Sequence, residues 1–251
     1  MPNLKTCKIR QSLYALIKQK LYGTTLMSRL LQNKDKIVEK MHEYRTTIET
    51  NMPKSYRQEV YRKTIHLSSL WIPTLIYFAP TWISLLVFSV LLAGDVLIEY
   101  GNFRRWKWAR ISFCQIFGKS LRNEERSRAR FVPSGGIYVL SSALMCTIFF
   151  IKPIAVIALT VMLVSDTMAA LVGKAIGQRK IYKQKSLEGT NAFFLSALIV
   201  NMMFEPIFHF TYVSVIACAA ATIVELFEDQ LELDDNLAIP LSIGAVLTLL
   251  T

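Results

Sequence analysis

Apolar residues fall in blocks of membrane-helix length, and polar, mostly basic stretches separate them. A transmembrane helix needs about 20 apolar residues, and a shorter block can cross as a tilted member of a bundle. The pattern therefore predicts an all-α, polytopic integral membrane protein, a helix bundle with about seven transmembrane segments. The predicted segments are residues 64–80, 82–100, 133–150, 153–175, 189–204, 211–227 and 237–251.

The composition agrees with a membrane protein and indicates a separate N-terminal part. Of the 251 residues 53% are hydrophobic, and the mean hydropathy of +0.35 is high for a soluble domain of this size. Residues 1–60 are polar and basic, with no pattern of a cleavable signal peptide. We predict a basic, helical cytoplasmic or interfacial extension over 1–60 and a membrane-embedded domain over 61–251. The four cysteines lack the CxxC pairing of a zinc site or a disulfide framework.

The net charge of +11 is concentrated in three regions, which a seven-segment topology places on one side of the membrane. Residues 1–63 contain 14 Lys and Arg, residues 101–131 contain 9, and residues 174–188 contain 5, whereas Lys152 falls on the other side. Loops rich in Lys and Arg stay in the cytoplasm. The sequence thus predicts a multi-pass protein with a cytoplasmic N-terminus. Membrane tethering on both sides of the basic loops argues against nucleic-acid binding.

An aspartate interrupts the predicted segment 153–175, where a carboxylate is costly. A charged side chain such as Asp166 at the centre of a membrane helix costs at least about 2.5–3.5 kcal/mol. Gly173 and Gly177 follow it at close to whole helical turns, so the three residues share nearly one face. A smooth face beside a negative charge lets another backbone or a phosphate come close. We predict that this stretch is the centre of a nucleotide site.

Cations precede the first apolar segment in a pattern that suits an anion. Arg62, Lys63 and His66 lead into it, and Arg62 and His66 share a helix face at a spacing of four residues. The alternative is an ordinary cytoplasmic anchor, which is the common role of Lys and Arg at this place.

A second candidate anion site lies between the fourth and fifth segments. Lys185 precedes Gly189 and Thr190 at the start of an apolar helix, where exposed backbone N–H groups can bind an anion. An ordinary loop and helix cap is the alternative. Glu188, in the same stretch, suits a metal ion better than a phosphate.

Carboxylates gather near the ends of two further segments. Asp95 and Glu99 are spaced by four residues, which fits metal ligands or partners for nearby arginines. Glu225 ends the sixth segment, and an acidic loop then leads to Asp235 and Asn236. Carboxylate and amide oxygens are the ligands that Mg²⁺ prefers, although such a loop can also be solvated surface.

Five motifs in this order resemble the CTP-dependent lipid kinases. This family comprises diacylglycerol kinase of the yeast type, dolichol kinase, and phytol and farnesol kinases, and it is related to phosphatidate cytidylyltransferases. The resemblance covers about residues 60–251, and the five motifs together are far more specific than any one alone. They are Arg62-Lys63-Thr64-Ile65-His66, Leu121-Arg122-Asn123-Glu124, Asp166-Thr167-Met168-Ala169-Ala170 with Gly173 and Gly177, Lys185-Ser186-Leu187-Glu188-Gly189-Thr190, and Glu225 with Asp235-Asn236 and Pro240.

The resemblance implies transfer of the γ-phosphate of CTP to a membrane lipid alcohol, such as diacylglycerol or dolichol, with Mg²⁺ or another divalent cation. The products would be the lipid phosphate and CDP, formed at the cytoplasmic face of a bacterial inner membrane, or of the endoplasmic reticulum in a eukaryote. The expected partners are CTP, the lipid alcohol and the bilayer, with a homo-oligomer left open. The chain has no GxxxxGK[ST] loop and no soluble protein-kinase motifs.

The resemblance also implies roles for individual residues. Asp166 would hold the divalent cation or orient the attacking hydroxyl, while Lys185, Arg62 and Lys63 would bind phosphates during catalysis. The residues expected at the nucleotide are Gly173, Gly177, Glu188, Gly189, Thr190, His66, Arg122 and Asn236, and those expected at the metal are Asp166, Asp235 and Glu225.

Other functions remain as alternatives at this point. Cytidylyl transfer, which makes a CDP-lipid from CTP and a phospholipid, would use the same kind of site and release pyrophosphate instead of CDP. A secondary transporter would carry ions on buried carboxylates, but its charges would gather at the membrane midplane and not at one face. A membrane scaffold leaves the carboxylate of Asp166 unexplained.

Overall fold

A computed structural model of the chain describes residues 54–104, 106, 109, 133–183, 185–205, 212–231 and 233–251. Of these described residues, 84% are helical, which confirms the prediction of a mostly helical chain. Most of the predicted extension over 1–60 lies outside the described residues, as do Arg122 and the basic loop around it. The division of the chain at residue 60 therefore stays a prediction.

The described helices follow one another with short connections, and one small hairpin interrupts them. The helices are α1 (Lys54–Ser68), α2 (Trp71–Phe78), α3 (Thr81–Phe103), α4 (Gly135–Phe149), α5 (Lys152–Ile176), α6 (Leu187–Met203), α7 (Tyr212–Leu226), α8 (Glu228–Leu231) and α9 (Asp235–Leu250), and the hairpin strands β1 (Lys180–Tyr182) and β2 (Lys185–Ser186) lie between α5 and α6.

Two described helices, α3 and α5, are long and apolar enough to cross a membrane. Helices α4, α6, α7 and α9 are apolar but shorter, at 15 to 17 residues. The prediction of a single segment over 64–80 is wrong, because α1 ends at Ser68 and α2 is a separate helix of 8 residues. At 1.5 Å per residue α2 is about 12 Å long, which is too short to span a bilayer.

Helix α5 forms the centre of the fold. It packs against α2, α4, α6 and α9, and its residues from Ile154 to Leu163 are almost continuously buried. Pro153 stands in its first turn, where a missing N–H costs nothing, and Gly177 caps its C-terminus. By contrast, α3 leaves large apolar side chains exposed, including those of Trp82, Leu86 and Val90.

Glycines let α5 and α6 cross at close range. A Cβ atom on Gly189 of α6 would lie 3.0 Å from the carbonyl oxygen of Ala169 and 3.2 Å from the Cα atom of Gly173, both on α5. Gly173 and Gly177 also face the hydroxyl of Ser186, which would lie 3.3 and 2.5 Å from their Cβ atoms. The smooth face predicted on α5 therefore receives another part of the backbone, so it is not an open space beside a nucleotide.

The hairpin brings Lys185 back to the end of α5, and the all-α prediction missed it. Strands β1 and β2 are antiparallel, and Lys183 in the turn has a φ of 44°, in the left-handed region that non-glycine residues adopt mainly in turns. Ser186 then starts α6 as its N-cap, accepting a hydrogen bond from the N–H of Gly189 at 3.2 Å.

Candidate functional site

A buried ion pair joins α1 to the middle of the bundle. Lys63 donates a hydrogen bond to Oδ2 of Asp166, and the two residues are only 2% and 5% exposed. Nε2 of His66 lies 3.3 Å from the same oxygen, although it is not aligned for a hydrogen bond. The Asp166 carboxylate, predicted at the centre of the site, is thus neutralised by Lys63 from the predicted cation cluster on α1.

Glu59 organises a second group of cations and was missed by the sequence analysis. Its carboxylate accepts hydrogen bonds from Arg62, whose Nε lies at 3.0 Å, and from Nζ of Lys174 at 2.5 Å. Burial alone would raise the pKa of Glu59, but Lys174 and Arg62 outweigh it and lower that pKa. The signal was present in the sequence, because Glu59 and Lys63 are four residues apart and lie on one helix face.

Lys185 forms the third ion-pair group, with carboxylates at the end of α7 and the start of α8. Its Nζ lies 2.5 Å from Oε1 of Glu225 and 3.1 Å from Oε2 of Glu228. Burial disfavours the charged lysine, yet Glu225 and Glu228 more than compensate and raise the pKa of Lys185. The other carboxylate oxygen of Glu225, Oε2, is buried without a hydrogen-bond partner.

The start of α9 adds further carboxylates. Asp234 is the N-cap, and its Oδ1 accepts hydrogen bonds from the N–H of Asn236 at 3.0 Å and from Nδ2 of the same residue at 2.6 Å. Burial and the neighbouring Asp235 raise the pKa of Asp234 to about 6. The Oδ1 atom of Asn236 is buried without a partner. Pro240, inside the same helix, has no N–H to donate to the carbonyl oxygen of Asn236.

The three ion-pair groups and the start of α9 act on one another electrostatically. Asp235 interacts with Arg62, with Lys185 and with Glu225, and Glu225 also interacts with Asp166. The structure thus brings together side chains from six elements, which are α1, α5, β2, α7, α8 and the start of α9. We call this set the inner cluster; its members are Glu59, Arg62, Lys63, His66, Asp166, Lys174, Lys185, Glu225, Glu228, Asp234, Asp235 and Asn236.

The predicted anion site at the start of α6 is only partly present. Ser186 and Gly189 are engaged with each other and with α5. The hydroxyl of Thr190 is buried without a hydrogen-bond partner, so it is available to a ligand. Glu188 is partly exposed, and its carboxylate accepts a hydrogen bond from the N–H of Arg179 at 3.4 Å, so it acts as a helix-start carboxylate.

Glu99 has a structural partner at the start of α4. Its carboxylate accepts hydrogen bonds from the N–H of Ser134 at 3.0 Å and from the Ser134 hydroxyl, and so holds the start of α4. Asp95, one turn earlier, has no polar partner among the described residues. The two predicted carboxylates therefore have different surroundings. Glu99 holds the start of α4, whereas Asp95 is a half-buried carboxylate on the preceding turn of α3.

A divalent cation fits this cluster only in part. No group of three or more His, Cys, Asp or Glu side chains is arranged to hold a metal ion within the described ranges. Of the predicted ligands, Asp166 already accepts from Lys63, and Glu225 from Lys185. Mg²⁺ at nucleotide sites is commonly held by one or two carboxylates, water and substrate phosphates. The described residues alone therefore do not supply a full set of metal ligands, although Oε2 of Glu225 is free of a hydrogen-bond partner.

Comparison with known proteins finds a relative but no established function. The uncharacterized protein RP860 of Rickettsia prowazekii (strain Madrid E) is 32% identical to this chain over 193 residues, which are 73% of this chain and 90% of the relative. No protein-family model matches the chain. No solved structure matches it either.

Proposed function

We propose that this protein is a CTP-dependent lipid kinase of the membrane. The chain belongs to the family of the Rickettsia prowazekii protein RP860. It would transfer the γ-phosphate of CTP to the hydroxyl of a lipid alcohol such as diacylglycerol or dolichol. The observation that supports this best is the inner cluster, where cations and carboxylates from distant segments meet around the buried pair of Lys63 and Asp166. The choice of CTP over other nucleotides rests on the motif resemblance.

The residues of the cluster match the needs of phosphoryl transfer. That reaction depends on positioning and on neutralising charge on the transferred group and the leaving group. Lys63, Lys185 and Arg62 supply positive charge for phosphate oxygens, and Asp166 can orient the lipid hydroxyl and accept its proton. A bound divalent cation would add further charge neutralisation between the phosphates, with Glu225 and Asp235 beside it.

The proposed topology places the cluster at the cytoplasmic face of a multi-pass protein. Lys152 and Lys174 stand at opposite ends of α5, 22 residues apart, which corresponds to about 33 Å along the helix axis. That length matches the hydrocarbon core of a bilayer, which is about 30 Å thick. Nζ of Lys152 is bound to the carbonyl oxygen of Ala79 at 2.6 Å, at the end of α5 away from Lys174. Asp166 lies about 12 Å along the helix from Lys174 and about 21 Å from Lys152, so the inner cluster reaches from the Lys174 end toward the middle of the helix.

The proposal is tested with purified full-length protein, γ-labelled CTP, Mg²⁺ and a panel of lipid alcohols in mixed micelles. We expect one class of alcohol to become labelled, and the Asp166→Asn variant to lose at least about 100-fold in rate, the usual contribution of a positioned acid–base group. A parallel assay with a phospholipid that carries a free phosphate in place of the alcohol tests cytidylyl transfer, which would give a CDP-lipid and labelled pyrophosphate. Full activity of Asp166→Asn, or the absence of labelled lipid and CDP-lipid alike, would contradict the proposed site.

A further inference from the structure

We propose that the lipid alcohol enters the protein from the side of α3, where Asp95 accepts a hydrogen bond from its hydroxyl group before the lipid reaches the inner cluster. This inference rests on the proposed function, because a lipid alcohol is the expected substrate, and it assigns the lipid-binding side of that site to α3 and the start of α4. Neither the residues expected at the nucleotide nor those expected at the metal include Asp95.

Asp95 carries a carboxylate that the fold itself does not explain. It lies in α3, which is long and apolar enough to cross a membrane, and it is half-buried. Within the described ranges no hydrogen bond or ion pair satisfies it, whereas Asp166 is paired with Lys63. A carboxylate beside hydrocarbon is costly, and ionisable side chains inside a membrane are candidates for a function. A ligand with a hydrogen-bond donor would offset that cost.

The surroundings of Asp95 suit a membrane lipid. A Cβ atom on the preceding residue, Gly94, would have no other atom within 4 Å, so there is free space on the helix surface next to the carboxylate. Large apolar side chains of the same part of α3 point outward, since Leu91, Val96 and Leu97 are 41%, 40% and 50% exposed. A lipid can place its chains against these side chains and its hydroxyl beside Asp95.

Asp95 and Asp166 lie at a similar depth in the proposed topology, in which α3 and α5 both run toward the cytoplasm. Asp95 precedes Phe103, the last residue of α3, by eight residues, and Asp166 precedes Lys174, near the end of α5, by the same number. Each distance corresponds to about 12 Å along the helix axis. A lipid hydroxyl bound at Asp95 would therefore need little movement across the bilayer to reach the depth of Asp166.

Polar side chains connect this side of α3 with the inner cluster. Glu99, one turn after Asp95, accepts hydrogen bonds from the N–H and the hydroxyl of Ser134 at the start of α4. Tyr138, one turn further along α4, interacts electrostatically with both Glu99 and Asp234, and Asp234 belongs to the inner cluster. A hydroxyl that moves from Asp95 toward the cluster would therefore meet polar side chains on its way.

A buried acceptor lies at the inner end of this connection. Asn236 is 7% exposed, and its Oδ1 atom lacks a hydrogen-bond partner in the described part of the chain. Its Nδ2 atom donates to Asp234 and would lie 3.8 Å from a Cβ atom on Gly135 of α4. A hydroxyl can donate to Oδ1, whereas the oxygens of an ionised phosphate only accept. This atom therefore suits the hydroxyl of the lipid alcohol.

The test is photolabelling of the full-length protein in detergent micelles without nucleotide. The probes are a diacylglycerol and a polyprenol, each with a diazirine in its chain, and the methyl ethers of both, which lack the hydroxyl donor. We expect at least one alcohol to label the peptides of α3 and α4 about tenfold more than its ether does, the factor expected for one hydrogen bond to a charged group. Equal labelling by both alcohols and their ethers would overturn the inference.

Asp95→Leu tests the assignment to this residue. The variant should lose the preference for the alcohol and keep the labelling by the ether, because only the acceptor is removed. Ser89→Leu, which also replaces an exposed polar side chain of α3 with leucine, is the matched control and should keep the preference. A preference that survives in Asp95→Leu would assign the hydroxyl to another residue and so contradict the proposed role of Asp95.

Thermal unfolding separates a binding role of Asp95 from a structural one. Because the carboxylate is unpaired within the described residues, Asp95→Leu should not lower the melting temperature in the absence of lipid. The lipid alcohol should raise the melting temperature of the wild type more than its ether does, and this difference should vanish in the variant. A lower melting temperature of the lipid-free variant, or a wild-type dimer that the variant loses in size-exclusion chromatography, would show that Asp95 holds the fold or a second copy and not a lipid.

The outcomes are separable from those of the proposed kinase activity. Alcohol-selective labelling that depends on Asp95 supports the lipid site even if CTP does not phosphorylate the lipid. If the protein phosphorylates the lipid, Asp95→Leu should raise the KM for the lipid alcohol about tenfold and leave the KM for CTP unchanged. An active kinase whose KM for the lipid is the same in Asp95→Leu would overturn this inference and leave the proposed function in place.

Discussion

Asp166 and Lys63 show how single residues make an aspartate tolerable inside an apolar helix. The residues are 103 positions apart in sequence, yet in the fold their opposite charges neutralise each other. A lone carboxylate in this place would be costly, and its cost is offset by the partner and by the nearby His66. Removing one member should therefore cost more stability than removing both.

The first prediction concerns that pair. Asp166→Asn leaves Lys63 buried with its charge uncompensated, so we expect a loss of about 3–5 kcal/mol in the free energy of unfolding. Lys63→Met/Asp166→Asn, which replaces the pair with groups that carry no charge, should recover most of that loss. Unfolding in detergent followed by circular dichroism measures both. A double variant less stable than the single one would show that the pair is not what holds α1 to α5.

The second prediction follows from Glu228, whose pKa is raised to about 7 by burial and by Asp235. Its ordinary value is 4.5, so the folded protein binds the proton more tightly than the unfolded chain. In the unfolded chain Glu228 loses its proton near pH 4.5, whereas in the folded protein it keeps the proton until about pH 7. The free energy of unfolding therefore falls as the pH rises from about 4.5 to about 7.

Glu228→Gln removes this titration. The melting temperature of the variant relative to wild type should therefore increase across the same pH window and then level off. Thermal unfolding of both proteins at a series of pH values measures this difference in melting temperature. Groups that titrate in both proteins contribute equally to each melting temperature, so their effect cancels in the difference. A difference that does not change with pH would show that the Glu228 carboxyl is solvated like an ordinary surface group.

The sequence predicted most members of the inner cluster but not their pairing. Asp166 was recognised because a charge inside an apolar helix is costly, Lys185 because it precedes a helix start that can bind an anion, and Asp235 because it ends an acidic loop whose oxygens suit Mg²⁺. Glu59 was missed because a glutamate in a basic helix before the membrane resembles surface. Pairing depends on how α1 meets α5, which no local pattern of residues specifies.

At the scale of elements, glycines decide how closely the helices approach. Gly189 lies against the backbone of α5, while Gly94 on α3 has nothing within 4 Å of the position its Cβ would occupy. Replacing glycine with alanine should therefore have opposite effects on the free energy of unfolding at these two positions.

The third prediction compares the two. Gly94→Ala should stabilise the protein by about 0.5–1 kcal/mol, since alanine restricts the unfolded chain and is better tolerated in a helix. Gly189→Ala should destabilise it by about 1–3 kcal/mol, because the new methyl group meets backbone atoms that cannot rotate away. Chemical unfolding in detergent checks both. Equal effects at the two positions would mean that α5 and α6 are not in close contact.

The break between α1 and α2 was not predicted from the sequence, although the sequence contains a signal for it. Hydropathy alone joins residues 64–80 into one segment, but Pro73 lies in the first turn of α2. Proline cannot donate to the carbonyl oxygen of Ser69 and collides with it in a continuous helix. The small hairpin was missed for a different reason, since strands of two and three residues leave no periodic pattern.

At the scale of the whole molecule, the two helices that are long enough to span a membrane, α3 and α5, differ in how much of their surface is buried. Most of α5 is buried by its neighbours, whereas α3 presents apolar side chains outward. The seven-segment count stays a prediction, because hydropathy establishes length and apolar character and not whether a segment crosses the bilayer.

The fourth prediction tests the proposed topology. Single cysteines at Ile151 and Gln178, which flank α5 and are both exposed, should be labelled from opposite sides of the membrane by an impermeant maleimide. Gln178 should react only from the cytoplasmic side. The four native cysteines are first replaced by serine or alanine, and activity of that background is the control. Labelling of both positions from one side would contradict a spanning α5.

The distance in sequence between Lys63 and Asp166 has a consequence for biogenesis. The ribosome makes α1 first, so Lys63 is already synthesised when α5 emerges about a hundred residues later. In the proposed topology the carboxylate of Asp166 would therefore enter the bilayer after its counter-charge has been made. The order of translation would then favour the insertion of the one helix of this chain that carries a buried aspartate.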